Sequence, residues 1–264
     1  MRFTKMHGIG NDYIYVYGEV PENVASICRR LSDRRFGIGS DGMIFITPSG
    51  IADFGMRIFN ADGSEALMCG NGIRCVGKYV YDKGYTDKTR LTVETLSGVK
   101  TLELLVLAGK VRQVAVDMGI AQVSPDITLS LWGEEITCTP VSVGNPHAVI
   151  FTDDAENAPV AHIGPQIERF PKFPGGVNVE FAQVTGKNSI RMRVWERGSG
   201  ITAACGTGAC ACAAAAAAKG LCEYGAAITV ALDGGLLEIK VDPGQKIIMT
   251  GPAETVFEGE TALC

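Results

Sequence analysis

The sequence predicts an α/β protein built from two similar halves, and three observations carry that prediction. First, "CGNG" at residues 69 to 72 repeats as "CGTG" at 205 to 208, an offset of 136. Second, the surroundings repeat at the same offset: "MRIFN" at 56 to 60 falls on "MRVWE" at 192 to 196, and Lys83-Gly84 falls on Lys219-Gly220. Third, Gly10-Asn11 and Gly144-Asn145 each lead into an apolar strand pattern, "YIYVY" and "HAVIF". Chance supplies single matches readily, but not an ordered set of them.

Taken in order, "HGIGNDYIYVY" gives a turn and a strand. "GIGSDG" at 37 to 42 satisfies GxGxxG literally, but a dinucleotide fingerprint follows a strand and opens a helix. Here the strand "MIFIT" comes afterwards, so the stretch reads as a turn and no dinucleotide is expected. "MRIFN" is the next strand, followed by the polar loop "ADGSE". From Cys69 a helix runs to a Lys-Gly closure at 83 and 84, since glycine favours the left-handed position just past a helix end. "TRLTVETLSG" is a strand ending in turn residues. The halves join near "AGKVRQVAVDM" at 108 to 118. The second half repeats the plan with "VGNPHAVIF", "GGVNVEF", "MRVWE" and "ERGSG". A helix of almost pure alanine follows Cys205, and then the strand "AAITVALDGG". Alanine is the strongest helix former and takes little room, so "ACACAAAAAA" suits a buried helix with strands close around it.

The totals restrict the function. With 264 residues, 46% hydrophobic and 20% charged, the chain has globular composition. A net charge of −5 and a pI near 5.3 give no electrostatic case for nucleic acid or an anionic membrane. "MRFTKMHGIGND" lacks the apolar core of a secretory signal, and no stretch is long and apolar enough to span a bilayer, so a soluble cytoplasmic protein is expected. The nine cysteines are odd in number and show no CxxC pair, which argues against a disulfide framework, a zinc site and a dithiol redox motif. Cys75, Cys210 and Cys212 read as small core residues.

Cys69 and Cys205 are different, because each stands at the start of a helix. There the first N–H groups lack internal partners and the dipole is positive, an environment expected to favour thiolate. The same N–H groups suit a carboxylate. Two thiols facing one carbon from opposite sides suit inversion of a stereocentre: one removes a proton and the other delivers one. Arg197 suits a bidentate carboxylate clamp and Glu196 an ammonium partner, which together fit a zwitterionic substrate.

At "KMHGIGNDY", "FNADGSEALMCGNGIRC", "VGNPHA" and "ERGSGITAACGTGAC" the chain resembles the diaminopimelate epimerases, over residues 3 to about 252. The resemblance implies two pseudo-symmetric domains, each a curved mixed β-sheet wrapped round a central helix with a cleft between them. It places residues 1–110 with the C-terminal tail 251–264 in one half and 111–250 in the other. It implies interconversion of LL- and meso-diaminopimelate in bacterial lysine and peptidoglycan precursor synthesis, with neither pyridoxal phosphate nor metal, by a homodimer. By resemblance Cys69 and Cys205 are the acid/base thiols, supported by His147 and Glu196. Asn11, Asn60, Gly70, Asn71, Asn145, Asn178, Glu196, Arg197, Gly206 and Thr207 contact substrate. Three positions depart from the family pattern: Gly42 stands where glutamine is frequent, Met68 precedes the first thiol, and Phe257 replaces a tyrosine common at the dimer contact. Two other readings stay open, a proline or hydroxyproline racemase and a non-catalytic amino-acid-binding relative. His162 reads as a surface or packing residue, and Arg57 and Arg193 as strand-surface residues.

Overall fold

The computed structural model describes residues 1–262, so the last two residues of the C-terminal tail lie outside the described residues. The chain divides into two compact units, residues 1–117 with 251–264, and residues 118–250.

In the first unit β1 (Arg2–Gly8), β2 (Asn11–Tyr17), α1 (Val24–Ser32), β3 (Gly42–Thr47), β4 (Phe54–Asn60), β5 (Glu65–Ala66), α2 (Gly70–Asp82), β6 (Arg90–Thr95), β7 (Gly98–Leu107) and β8 (Lys110–Ile120) follow one another. Pairing runs β1–β2–β3–β4–β6–β7–β8, antiparallel except for the parallel pairs β2/β3 and β4/β6, with strand Glu254–Glu260 added outside β1. A strand with both faces covered reads as a continuous apolar run, and "MIFI" in β3 is buried throughout. One face of the sheet carries α1, whose Ile27, Cys28 and Leu31 pack on Phe3, Ile14, Val16, Met43, Phe45 and Phe59. The central helix α2 packs on β1, β2 and β7 and is buried from Gly70 to Val80.

The second unit repeats this order. It contains β9 (Gln122–Val123), β10 (Ile127–Leu131), β11 (Glu134–Ser142), β12 (Pro146–Phe151), α3 (Val160–Glu168), β13 (Asn178–Gly186), β14 (Ser189–Glu196), β15 (Gly200–Ile201), α4 (Gly206–Ala218), β16 (Ala227–Leu232), β17 (Gly235–Val241) and β18 (Lys246–Pro252). Pairing runs β11–β12–β13–β14–β16–β17–β18, with the parallel pairs β12/β13 and β14/β16 in the same two places. Helix α4 touches β9, β11, β12, β13, β14, β16 and β17 and is buried on almost all sides, which its alanines permit. The helices also end alike. Gly84 and Gly220 have φ of 75° and 71°, a conformation glycine adopts without penalty. Each next residue, Tyr85 and Leu221, donates its N–H back to Val80 and Ala216, closing the helix as a Schellman turn.

Both readings of the smaller motifs hold at the level of structure. "GIGSDG" is a turn between α1 and β3, and Cys75, Cys210 and Cys212 are fully buried. His162 stacks on the exposed Trp132. Arg57 pairs with Glu65 at the surface of β4, and Arg193 donates to the Glu156 carbonyl.

Candidate active site

Both cysteines of the repeat are helix N-cap residues with extended backbone, Cys69 at φ −135°, ψ 116° and Cys205 at φ −119°, ψ 102°. That conformation turns the side chain towards the open first turn of the helix. What each sulfur meets there differs.

In the first unit the Cys69 thiol donates to Asn11 Oδ1 at 3.3 Å, and its Sγ accepts the Gly72 N–H at 3.3 Å. Asn11 is fixed from behind, because its Nδ2 donates to Asp41 Oδ2 at 2.7 Å. The same oxygen accepts the Asp12 N–H at 3.0 Å. Arg34 bridges Asp41 and Asp12, and Lys5 lies 2.5 Å from Asp12. Burial raises the Asp12 carboxyl, but hydrogen bonds from Arg34 and Lys5 outweigh it and hold the group below its ordinary range. Gly70 and Asn71 form the first turn of α2, and Asn71 Oδ1 accepts from the wholly buried Arg74 at 3.0 Å. Asn60 closes β4, where its Nδ2 donates to Ser64 Oγ at 3.1 Å. At Gly42, paired with Asn60, a Cβ would stand 2.1 Å from the Phe59 carbonyl oxygen, so this backbone admits no side chain there.

In the second unit Cys205 is 4% exposed, and its Sγ stands 3.7 Å from Thr207 Oγ1. Thr207 Oγ1 accepts from Asn145 Nδ2 at 3.2 Å, Asn145 Oδ1 faces His147 Nε2 at 3.1 Å, and His147 Nδ1 faces Glu180 Oε1 at 2.7 Å. Gly206 opens α4. Asn178 ties two loops together, donating to the Pro146 carbonyl at 3.0 Å and accepting the Arg197 N–H at 2.9 Å. Glu196 Oε2 accepts from Thr202 Oγ1 at 2.8 Å, and Arg197 Nη1 donates to the Gly175 carbonyl at 3.0 Å.

One expectation is overturned here. The helix N-terminus was expected to favour thiolate at both cysteines, yet the Cys205 thiol is pushed well above its ordinary value. Burial is the main cause, followed by the carboxylates of Glu196 and Glu180, and these outweigh a nearby helix end.

Residues of these networks that escaped the sequence reading include Lys5, Asp41, Arg74 and Glu180. Asp41 and Lys5 look like ordinary loop and edge charges in sequence. Arg74 and Glu180 carried a usable signal, a charge in the buried stretch of a helix and a lone charge inside the strand "NVEFA". Among the described residues no group of three or more His, Cys, Asp or Glu side chains is placed to hold a metal ion. No helix among them is long and apolar enough to cross a membrane.

A family model described as diaminopimelate epimerase matches residues 3–124 and 139–256. A diaminopimelate epimerase from Acetivibrio thermocellus is 50% identical, over 100% of this chain and 99% of its own. One from Bacteroides thetaiotaomicron is 53% identical over 98% and 97%. In fold the chain resembles a probable proline racemase from Agrobacterium radiobacter, with a TM-score of 0.78, 20% identity and coverage of 100% and 93%.

Proposed function

Because the chain belongs to the diaminopimelate epimerase family, we propose that it interconverts LL- and meso-diaminopimelate through two acid/base thiols, Cys69 and Cys205. The observation that carries this reading is the pair of matched caps: each thiol is the N-cap of a 13-residue helix at the same place in a repeated sheet order, with an asparagine, Asn11 or Asn145, in its network. One sulfur takes the α-hydrogen as a proton, leaving the electron pair of the broken C–H bond on the α-carbon. The opposing thiol gives its proton to the other face, and the roles exchange in the reverse direction. The first-turn N–H groups of α2 and α4, from Gly70, Asn71, Gly206 and Thr207, meet the α-carboxylate and stabilise the charge that builds beside the carbanion. Glu196 receives an ammonium group and Arg197 a carboxylate, while Asn11, Asn60, Asn145 and Asn178 hold the remaining polar groups. His147 supports the Cys205 side. No cofactor takes part. The enzyme works in the cytoplasm, where thiols stay reduced. It forms a homodimer, which light scattering of the purified chain tests directly.

The deciding assay follows α-deuterium wash-in from D₂O with LL-diaminopimelate and, in parallel, L-proline. Exchange of diaminopimelate alone is expected; exchange of proline alone refutes the substrate assignment. Cys69→Ala and Cys205→Ala should each abolish turnover while substrate still raises Tm, and retained turnover in either removes the two-thiol mechanism.

A further inference from the structure

The two halves share a fold but not the ground beneath their thiols. In the parallel pair β2/β3, Tyr13 lies opposite Gly42 and Tyr15 opposite Ile44; in β12/β13, His147 lies opposite Asn178 and Val149 opposite Glu180. With Asn11 matched to Asn145, His147 therefore stands where the first half has Tyr13, and Glu180 stands where it has Ile44. The helices confirm the match. A Cβ on Gly72 would meet Ile44 Cδ1 at 2.6 Å, whereas a Cβ on Gly208 would meet Glu180 Oε1 at 2.8 Å and Cys205 Sγ at 3.2 Å. The first half shows that an isoleucine satisfies this fold at that position. The second half instead buries a carboxylate completely, with Oε2 lacking any hydrogen-bond partner among the described residues. A buried acid of this kind destabilises the fold unless it is paired.

Its partner is the His147 ring, itself 1% exposed. Counting donors fixes what the pair holds. Asn145 gives its Nδ2 hydrogens to Thr207 and turns its oxygen to His147 Nε2, so Nε2 must carry a proton. Nδ1 then faces a carboxylate oxygen at 2.7 Å, a distance that requires another proton between them.

We propose that Glu180 is the positioning residue of the Cys205 half: its carboxylate holds a second proton on the His147–Glu180 pair, which commits His147 Nε2–H to Asn145 and so orients Asn145 and Thr207 at the sulfur. The inference rests on the reading of Cys205 as an acid/base thiol. The extra proton also has an electrostatic role. A bare carboxylate beneath α4 opposes a thiolate at Cys205, and a proton held on the pair offsets that charge just where the sulfur must become anionic. Cys69 has no counterpart of this device, since Tyr13 and Ile44 occupy the equivalent places.

Glu180→Gln tests the proposal, because glutamine keeps the shape and hydrogen-bonding reach of the side chain but cannot supply the charge that keeps the ring doubly protonated. Glu180→Ile, the residue of the other half, is the second variant. The chain has three histidines, so ¹⁵N-histidine labelling with one His147→Gln control assigns the ring. In the wild type both His147 ring nitrogens should be protonated, with a strongly downfield ring N–H. In Glu180→Gln one nitrogen should be bare, Tm should stay close to wild type, and kcat should fall about 100-fold with KM little changed. A wild-type ring with one bare nitrogen overturns the proposal even if neither variant folds. Glu180→Gln activity within about twofold of wild type also overturns it, since that is what a purely structural carboxylate predicts. Failure of the underlying reading shows up separately, as turnover surviving in Cys205→Ala, and leaves the ring spectrum to be judged on its own.

Discussion

Replacing the second glycine of each CGxG motif by alanine should separate the two halves experimentally. Both glycines are helical, so alanine brings about 1 kcal/mol of helix propensity in each case. At Gly72 the new methyl meets Ile44 Cδ1 at 2.6 Å and Met56 Cε at 3.2 Å, the movable ends of two apolar side chains. Overpacking of that kind costs about 1–3 kcal/mol, so Gly72→Ala should lie within about 2 kcal/mol of wild type. At Gly208 the methyl meets Glu180 Oε1 at 2.8 Å, Cys205 Sγ at 3.2 Å and Glu180 Cγ at 3.2 Å. Glu180 moves only by giving up its bond to His147, and a hydrogen bond to a charged group contributes about 1.5–3 kcal/mol. Added to the overpacking and set against the helix gain, this makes Gly208→Ala about 1.5–5 kcal/mol less stable than wild type. For a unit of this size each kcal/mol is about 2–4 °C, so differential scanning calorimetry should place its Tm well below that of Gly72→Ala. The downfield His147 proton should vanish in Gly208→Ala alone. Equal melting of the two variants, with the His147 signal intact in both, refutes the claim that Gly208 exists to admit a carboxylate.

Other consequences are simpler to read. In the free protein at neutral pH, iodoacetamide should label Cys69 before Cys205, because Cys205 is buried and its thiol is pushed up by burial and then by Glu196 and Glu180. Raising the pH should bring the Cys205 reaction in as its thiolate forms, and peptide mass mapping that finds Cys205 labelled first contradicts this. Lys78→Met should lower stability by about 3–5 kcal/mol. The cause is that Lys78 Nζ donates to Asp82 Oδ2 at 2.8 Å and to the Val111 carbonyl at 2.7 Å in a nearly buried setting, and methionine replaces neither bond. A shift in urea midpoint tests it. The carboxyls of Asp53, bonded by Lys88 and Thr92, and of Asp126, bonded by Lys219 and Thr139, are held below their ordinary value of 3.8. Their contribution is therefore complete above that value and lost as pH falls through the lower, folded one, so Tm should be level above about pH 5 and fall below about pH 4. Asp53→Asn should flatten part of that fall; an unchanged slope refutes the assignment.

Much of the architecture could be read from spacing. The repeat of "CGxG", "MR" strands and Lys-Gly closures corresponds to α2 and α4, β4 and β14, and two identical helix ends, because each signal is local: a cap, an alternation, a glycine at positive φ. Local signals say where a thiol stands on its helix, and both cysteines are indeed N-caps. They do not say what lies behind the thiol. Asp41 reaches Asn11 from 30 residues away, and Glu180 reaches His147 from 33, so neither partnership has a period or a motif. The one trace of Glu180 in the sequence is its misfit, a charge where "NVEFA" otherwise reads as a buried strand.

Burial first, and then Glu196 and Glu180, overrides the helix dipole at Cys205. A helix N-terminus favours a nearby anion by about 0.3–1 kcal/mol at an exposed site and up to about 2 kcal/mol when partly buried. Full burial of an ionisable group shifts its equilibrium by as much as about 3–5 pKa units, which is several times larger. The carboxylates of Glu196 and Glu180 add to the burial. A thiol so placed favours its protonated form, and that suits the two-thiol reading proposed above, in which one sulfur delivers a proton while the other takes one. On that reading burial, with Glu196 and Glu180, suits Cys205 to the role of acid. The proton on the His147–Glu180 pair then lets the same sulfur carry charge after it has delivered its hydrogen. On this view the two halves diverged beneath a common fold, with Ile44 under one helix and a buried carboxylate under the other, and the cost of burying Glu180 is retained for what it does at Cys205.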